Sequence, residues 1–260
     1  MDTNVIDIKK FISDLKKERS ELGSIINPII EKYNLPKKEL IEVCQIGKFI
    51  YKINSAMKIS EKPEPPNPDF IIEYASKLIG LEHTRIFTEN AINYNKIVTL
   101  LDYAEDIYRV KFPDEKLHAI ISIQDDTLNY SQKEKRKFAT EIVNYVYNFN
   151  KGIEIERPVY ISNIRTTIHS QVSFSYKEIN SNAPYLTKAR LQTEIKKKEN
   201  KLDNYKKGKS EISEYWLVLL IGSLSSASYQ LNENENYKTE SLFDCVYLMT
   251  DFDAEIIRIK

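Results

Sequence analysis

The amino-acid sequence predicts an α/β fold: a mixed central sheet flanked by helices, with a helical N-terminal extension. Three observations carry that expectation. Strand-like and helix-like patterns alternate along most of the chain. Tyr215-Trp-Leu-Val-Leu-Leu-Ile-Gly222 is a continuous apolar run, the pattern of a strand buried on both faces. Pro68–Thr84 holds two short apolar runs, Asp69-Phe-Ile-Ile and Leu78-Ile-Gly-Leu-Glu-His-Thr84, separated by Tyr74-Ala-Ser-Lys77. That spacing suits two paired strands and a tight turn.

The elements follow in chain order. Residues 3–60 read as helical, with one apolar stripe through Ile6, Ile8, Phe11, Ile12 and Leu15 and a second through Leu40, Val43, Ile46, Phe49, Ile50 and Ile53. Pro28 and Asn34-Leu-Pro36 punctuate them. Ser60–Pro68 carries four prolines, which forbid regular helix and make a stiff connection. It is the expected boundary between the 1–60 extension and a 61–260 domain. Ile92–Val110 has helical period, His118–Ile123 reads as a buried strand, and Ser131–Phe149 as a helix. Ser131 and Glu134 there have capping-box spacing. Arg157–Tyr176 is rich in β-branched and aromatic residues and predicts one or two strands. Thr187–Lys207 is a charged helix, Ser223–Thr239 largely loop, and Phe243–Met249 with Glu255–Ile259 a closing hairpin.

Composition narrows the function classes. The 260 residues are 42% hydrophobic and 29% charged, ordinary for a globular protein. Acidic and basic residues balance at 38 each, so no global basic field exists and any nucleic-acid contact needs a local patch. Two distant cysteines and three histidines give no zinc-ligand spacing. No run of 18 apolar residues is present and the N-terminus lacks a signal-peptide core, so a cytoplasmic protein without a membrane partner is expected.

The chemistry-bearing residues cluster in two places. A hairpin over 69–84 brings Asp69 and Glu82 together, and two neighbouring carboxylates suit a hard divalent cation such as Mg²⁺. By strand alternation Asp69, Ile71 and Glu73 share one face, as do Gly80, Glu82 and Thr84. Such a face is too acidic for a core without a cation; the other reading is a solvent-exposed hairpin. Gly80 lets another group approach the backbone beside Glu82. In the helix 187–207, Leu191, Ile195, Leu202 and Tyr205 form an apolar stripe with Lys198 at its missing position. Either Lys198 delivers its ammonium to a polar site, or it snorkels to water. Residues 188–209 hold nine basic and three acidic residues, a local net of +6, either a solvated face or a phosphate-tracking surface. Its Lys196, Lys197 and Lys201 are the candidate nucleic-acid contacts. His83 and His169 are weaker metal candidates, and Glu42 reaches the site only if its helix packs on the sheet.

Pro68-Asp69 followed by Glu82-His83-Thr84 on an apolar strand resembles the PD-(D/E)XK nuclease superfamily. More narrowly it is similar to bacterial proteins with a "PDF" and a later "GIE-x-T" strand. In this chain the accompanying pieces are Lys201-Leu-Asp-Asn-Tyr205, Tyr215-Trp-Leu-Val218 and Phe243-Asp-Cys-Val-Tyr-Leu248. The resemblance covers residues 62–260. It implies a restriction-endonuclease-like core, metal-binding carboxylates at Asp69 and Glu82, Mg²⁺ or Mn²⁺ as cofactor, and hydrolysis of nucleic acid, with DNA the expected form. Thr84 stands where the pattern has lysine; Lys198, with Lys201 second, is the candidate to supply that charge, and Thr84 to bind the attacking water or orient Glu82. The competing expectation is a catalytically inactive module of the same fold that binds nucleic acid or protein.

Overall fold

The computed structural model describes residues 8–124, 128, 130–179, 182–208, 211–222 and 225–260. Ile6 of the first stripe, Lys209 of the basic run and Ser223 of the expected loop lie outside the described residues. The chain forms two compact units: residues 1–86, 185–223 and 230–260, and residues 87–184 with 224–229.

The first unit is built on a six-stranded mixed sheet. Its strands are β1 (Lys58–Glu61), β2 (Phe70–Tyr74), β3 (Lys77–Arg85), β7 (Ile212–Ile221), β8 (Cys245–Thr250) and β9 (Ile256–Arg258), adjacent in that order. The central β3, β7 and β8 are parallel, while β1–β2–β3 and β8–β9 pair antiparallel. Helices α1 (Ile8–Lys32) and α2 (Lys37–Ile53) cover one face. There Val43, Ile46, Phe49 and Ile50 pack with Phe70, Ile72, Ile79, Leu81, Val218 and Met249. The other face carries Ile71, Glu82, Leu217 and Leu219 by alternation, all buried. Helices α5 (Lys188–Glu199) and α6 (Leu202–Gly208) lie on that side, with Tyr205 stacked on Tyr215 at 6.3 Å between ring centroids.

The second unit holds α3 (Ala91–Lys111), β4 (Leu117–Ile123), α4 (Lys135–Asn150), β5 (Ile161–Ile168) and β6 (Ser173–Lys177). Its three-stranded sheet runs β5–β4–β6, antiparallel to β5 and parallel to β6. Leu100, Ala104 and Tyr108 of α3 and Ile142, Val143 and Val146 of α4 pack on Ala119, Ile121 and Phe174.

Four expectations change. The strands around His118 and Arg157–Tyr176 form a separate sheet rather than joining the central one. The N-terminal region is not all helix: β1 pairs with β2, and α1 and α2 share a core with the sheet, so contacts do not break at Ser60–Pro68. Pro28 lies within α1 rather than ending it. The 187–207 helix breaks at Asn200–Lys201, giving α5 and α6. Before α4, the Ser131 backbone N–H and hydroxyl both donate to the Glu134 carboxylate, one half of the expected capping box; the reciprocal half does not form, because the Glu134 N–H goes to the Ser131 carbonyl and the helix starts at Lys135.

The β2–β3 hairpin sets the site's register. Tyr74 pairs with Lys77 and Phe70 with Leu81, so the turn is the two residues Ala75 and Ser76, with φ of 49° and 62°. Positive φ at both positions is the type I′ geometry that matches strand twist and normally takes Asn-Gly. Each L-residue with a Cβ is strained there by about 1 kcal/mol. Replacing Ala75-Ser76 with Asn-Gly should therefore stabilise the protein by about 1 kcal/mol, read as a raised thermal midpoint. An unchanged or lowered midpoint would contradict the strained turn.

Candidate active site

The hairpin register places Asp69, one residue before β2, across from Glu82 in the middle of β3. The Asp69 Oδ2 accepts the backbone N–H of His83 at 2.8 Å, which ties the carboxylate to the neighbouring strand. Gly80 makes that approach possible: a Cβ there would lie 2.9 Å from the Tyr215 ring, closer than real Cβ atoms come, and 3.0 Å from the Pro68 ring, a tight contact. The sequence reading of Gly80 as a point of close approach is borne out, and the group that approaches is the chain just ahead of Asp69.

Glu82 is fully buried. Its Oε1 accepts Lys198 Nζ at 2.8 Å and Lys201 Nζ at 2.9 Å, and its Oε2 accepts the Tyr205 hydroxyl at 2.6 Å. All three donors come from α5, α6 and the turn between them. Thr187 caps α5, its Oγ1 accepting the Arg190 N–H at 3.2 Å. Leu191 and Ile195 then bury one face, which points Lys198 inward as the stripe predicts. The chain closes the helix with Lys201 N–H to Lys198 C=O at 3.0 Å and restarts, so Lys201 and Tyr205 stay on the same side. The exposed-hairpin reading holds for Glu73 but not for Glu82, which is fully buried, or Asp69, and the snorkelling reading of Lys198 is replaced: its side chain is only 19% exposed and ends on a carboxylate.

Electrostatics follow from this packing. Burial, then the charge of Glu82, push the Asp69 carboxyl up to about 6 from 3.8. Burial alone would raise Glu82 too, but Lys198 and the hydrogen bonds from Lys198, Tyr205 and Lys201 hold it below the ordinary glutamate value. Burial and the Glu82 charge push the Tyr205 phenol far up, so it stays a donor. The cluster thus keeps one firmly ionised carboxylate beside one whose ionisation is opposed.

The remaining candidates fall as follows. Thr84 is half-buried two residues along β3 on the Glu82 face, and its hydroxyl makes no hydrogen bond among the described residues. It does not orient Glu82; the two lysines and Tyr205 do. Lys197 is exposed and paired with Glu194 at 2.8 Å, while Lys196 is exposed beside Lys188 and Lys238 on a cavity of about 600 Å³. His83 points to the opposite face of β3. Burial, then Lys198 and Arg85, push its imidazole down to about 4, and its buried Nε2 has no partner among the described residues. It is therefore not a ligand on the Glu82 side. His169 belongs to the second unit, with its ring 5.9 Å from that of His118. Glu42 shares a cavity of about 370 Å³ with Asp69, Glu39, Lys62 and Asn67, so its helix does pack where the condition required.

Tyr205 was missed as a site residue. It lies four residues after Lys201 and seven after Lys198, one helical face, so the same stripe that singled out Lys198 contained it. Asp244 was missed as a structural residue: its Oδ2 accepts the Tyr215 N–H at 2.7 Å and its own N–H reaches the Tyr215 carbonyl at 2.8 Å, fastening β8 to β7.

A cation fits this donor set in a limited way. No group of three or more His, Cys, Asp or Glu able to hold a metal exists among the described residues. Two crowded carboxylates remain, one with its charge opposed by the other, and Mg²⁺ is commonly held by one or two carboxylates with water completing the shell.

Two outcomes follow for the metal-free protein. Glu82→Gln leaves two ammonium groups facing a neutral amide in a buried site and should lower stability by about 3 kcal/mol in denaturant titration. Asp69 has a folded value raised above its unfolded one, so its contribution is present below pH 4 and lost as pH rises through 6. In chelator, Asp69→Asn should be more stable than wild type by about 1–2 kcal/mol at pH 7.5, and the gap should close towards pH 4. A pH-independent difference would contradict the crowded pair.

Compared with known proteins, the chain has no significant match to a protein-family model, to a curated protein or to a solved structure.

Proposed function

We propose that this protein is a divalent-metal-dependent nuclease that hydrolyses phosphodiester bonds of nucleic acid, with DNA the expected substrate, on a restriction-endonuclease-like core. The observation that carries the reading is the 2.8 Å contact between Lys198 Nζ and Glu82 Oε1. The motif that Pro68-Asp69 and Glu82-His83-Thr84 resemble calls for an ammonium beside its carboxylates, and Thr84 cannot supply one. A helix 116 residues further on brings one to the same carboxylate.

Asp69 and Glu82 would hold Mg²⁺ or Mn²⁺, which when bound supplies charge against the phosphate oxygens and acidifies water. The chain's own residues do the rest. Lys198 keeps Glu82 ionised, and its ammonium stands where it can donate to an attacking water or to a phosphate oxygen. Asp69 borders the 370 Å³ cavity, which gives its free side room for water and a phosphate. Thr84 can hydrogen-bond the water, its hydroxyl being uncommitted. Lys196, Lys197 and Lys201 belong to a basic run that suits a phosphate backbone.

One observation favours a second reading. Glu82 already has three donors, an arrangement that by itself completes a buried ion cluster without metal. Such a cluster would suit an inactive module of the same architecture that binds nucleic acid or protein.

Plasmid, linear and single-stranded DNA, and RNA, incubated with Mg²⁺, Mn²⁺ or EDTA, separate the readings. The nuclease predicts metal-dependent cleavage, abolished in Asp69→Ala and lowered about 10²–10⁴-fold in Lys198→Met. Cleavage that survives Asp69→Ala sinks the mechanism. No cleavage together with no Mn²⁺ binding favours the inactive module.

A further inference from the structure

We propose that Lys201 is a placeholder cation on Glu82, which a divalent ion displaces as it binds. The inference rests on the reading of Asp69 and Glu82 as the metal carboxylates and goes beyond it, because it assigns the entry step to one side chain.

A carboxylate oxygen offers two lone-pair positions. On Glu82 Oε1 both are taken, by Lys198 at 2.8 Å and Lys201 at 2.9 Å. Oε2 accepts Tyr205 at 2.6 Å. One position on Oε2 stays open among the described residues, but an ion can reach Oε1, or bridge both oxygens, only where a donor withdraws, and the three donors differ in what withdrawal entails. Tyr205 is buried, and its hydroxyl would lose its partner inside the fold. The Lys198 side chain is 19% exposed, between buried Ile195 and Leu202 along the helix face. The Lys201 side chain is 49% exposed and starts at the break between α5 and α6. Its ammonium regains hydration by side-chain rotation alone.

Charge balance points the same way. Asp69, Glu82, Lys198 and Lys201 sum to zero as they stand. A divalent ion added to all four would leave two uncompensated positive charges around a fully buried carboxylate. Withdrawal of Lys201 halves that excess, and an incoming phosphodiester offsets what remains. The released ammonium then extends from the surface of the site, where a phosphate oxygen is its natural partner. Lys201 thereby stabilises the metal-free fold and weakens metal binding, and its exposed position is what lets it leave.

The test is Mn²⁺ binding by calorimetry to the full chain, as wild type and as Lys201→Met, Lys201→Gln, Lys201→Arg and Asp69→Asn. Thermal midpoints are measured with and without Mn²⁺. Lys201→Met and Lys201→Gln should bind Mn²⁺ about tenfold more tightly than wild type, with lower midpoints in chelator and larger rises on adding Mn²⁺. Lys201→Arg should bind as wild type does. Asp69→Asn should abolish binding. Affinity unchanged or weakened in both neutral variants, with Asp69→Asn still abolishing binding, overturns the placeholder and leaves the metal site standing. Binding that survives Asp69→Asn, or is absent from every variant, overturns the metal site and the placeholder with it.

Discussion

The burial of the Glu82 carboxylate is the constraint around which the first unit is organised. Taking an ionised carboxylate out of water costs several kcal/mol even after relaxation, and only close partners of opposite charge with good hydrogen bonds offset it. β3 sits between β2 and β7, so Glu82 has no route to solvent along the sheet. The partners must come from the layer above. That requirement explains why a helix as polar as α5 covers a sheet as apolar as β7: two of its successive contacts are leucine and isoleucine, and the next is an ammonium. Lys198 and Lys201, three residues apart, lie on one helical face, and both converge on the same Glu82 oxygen.

A buried ion pair is a poor device for stability, because an apolar side chain of similar volume usually does as well or better. The neighbouring positions show that alternative in use. Leu217, paired with Glu82 across β3 and β7, and Leu219 beyond it are fully buried hydrocarbons on the same face. A leucine at position 82 would complete that face and free two lysines and a tyrosine from duty. Asp69 sharpens the point, since its own ionisation is opposed by Glu82 one strand away. Two carboxylates held together against their mutual repulsion are an arrangement that a packing argument does not require, and it is the arrangement on which the proposed function rests.

Much of this was legible in the chain. The hairpin followed from two apolar runs with a short polar gap. The inward turn of Lys198 followed from the 3.6-residue period, because Leu191, Ile195, Leu202 and Tyr205 fix which way the helix faces. What stayed hidden depended on partners distant in sequence. Lys58–Glu61 carries no strand pattern of its own and becomes β1 by pairing with β2. The strands of the second unit have the same local composition as those of the first, and nothing local says that Ile121 packs with Tyr108 and Val143 rather than beside β7. The Glu82–Tyr205 bond joins residues 123 positions apart. Tyr205 read as a core aromatic, and its ring does pack; only the three-dimensional placement of Glu82 gives its hydroxyl a second task.

On the proposed reading, the ammonium that the motif has at position 84 comes from Lys198. Side chains two apart on a strand leave the same face about 6–7 Å from each other. A lysine at 84 would therefore bend back along the sheet towards Glu82, and its charge would be set by strand geometry alone. Lys198 arrives instead from the facing helix, and its position depends on how α5 packs. The two routes differ in consequence. A strand lysine is as rigid as the sheet, whereas a helix lysine can be joined by a neighbour one turn on, as Lys201 joins Lys198 here. With the ammonium on the helix, Thr84 keeps its hydroxyl uncommitted among the described residues, and Lys201 brings a second, more solvent-accessible ammonium to the same carboxylate oxygen. On the proposed reading, that pairs one fixed cation with one removable cation on a single carboxylate.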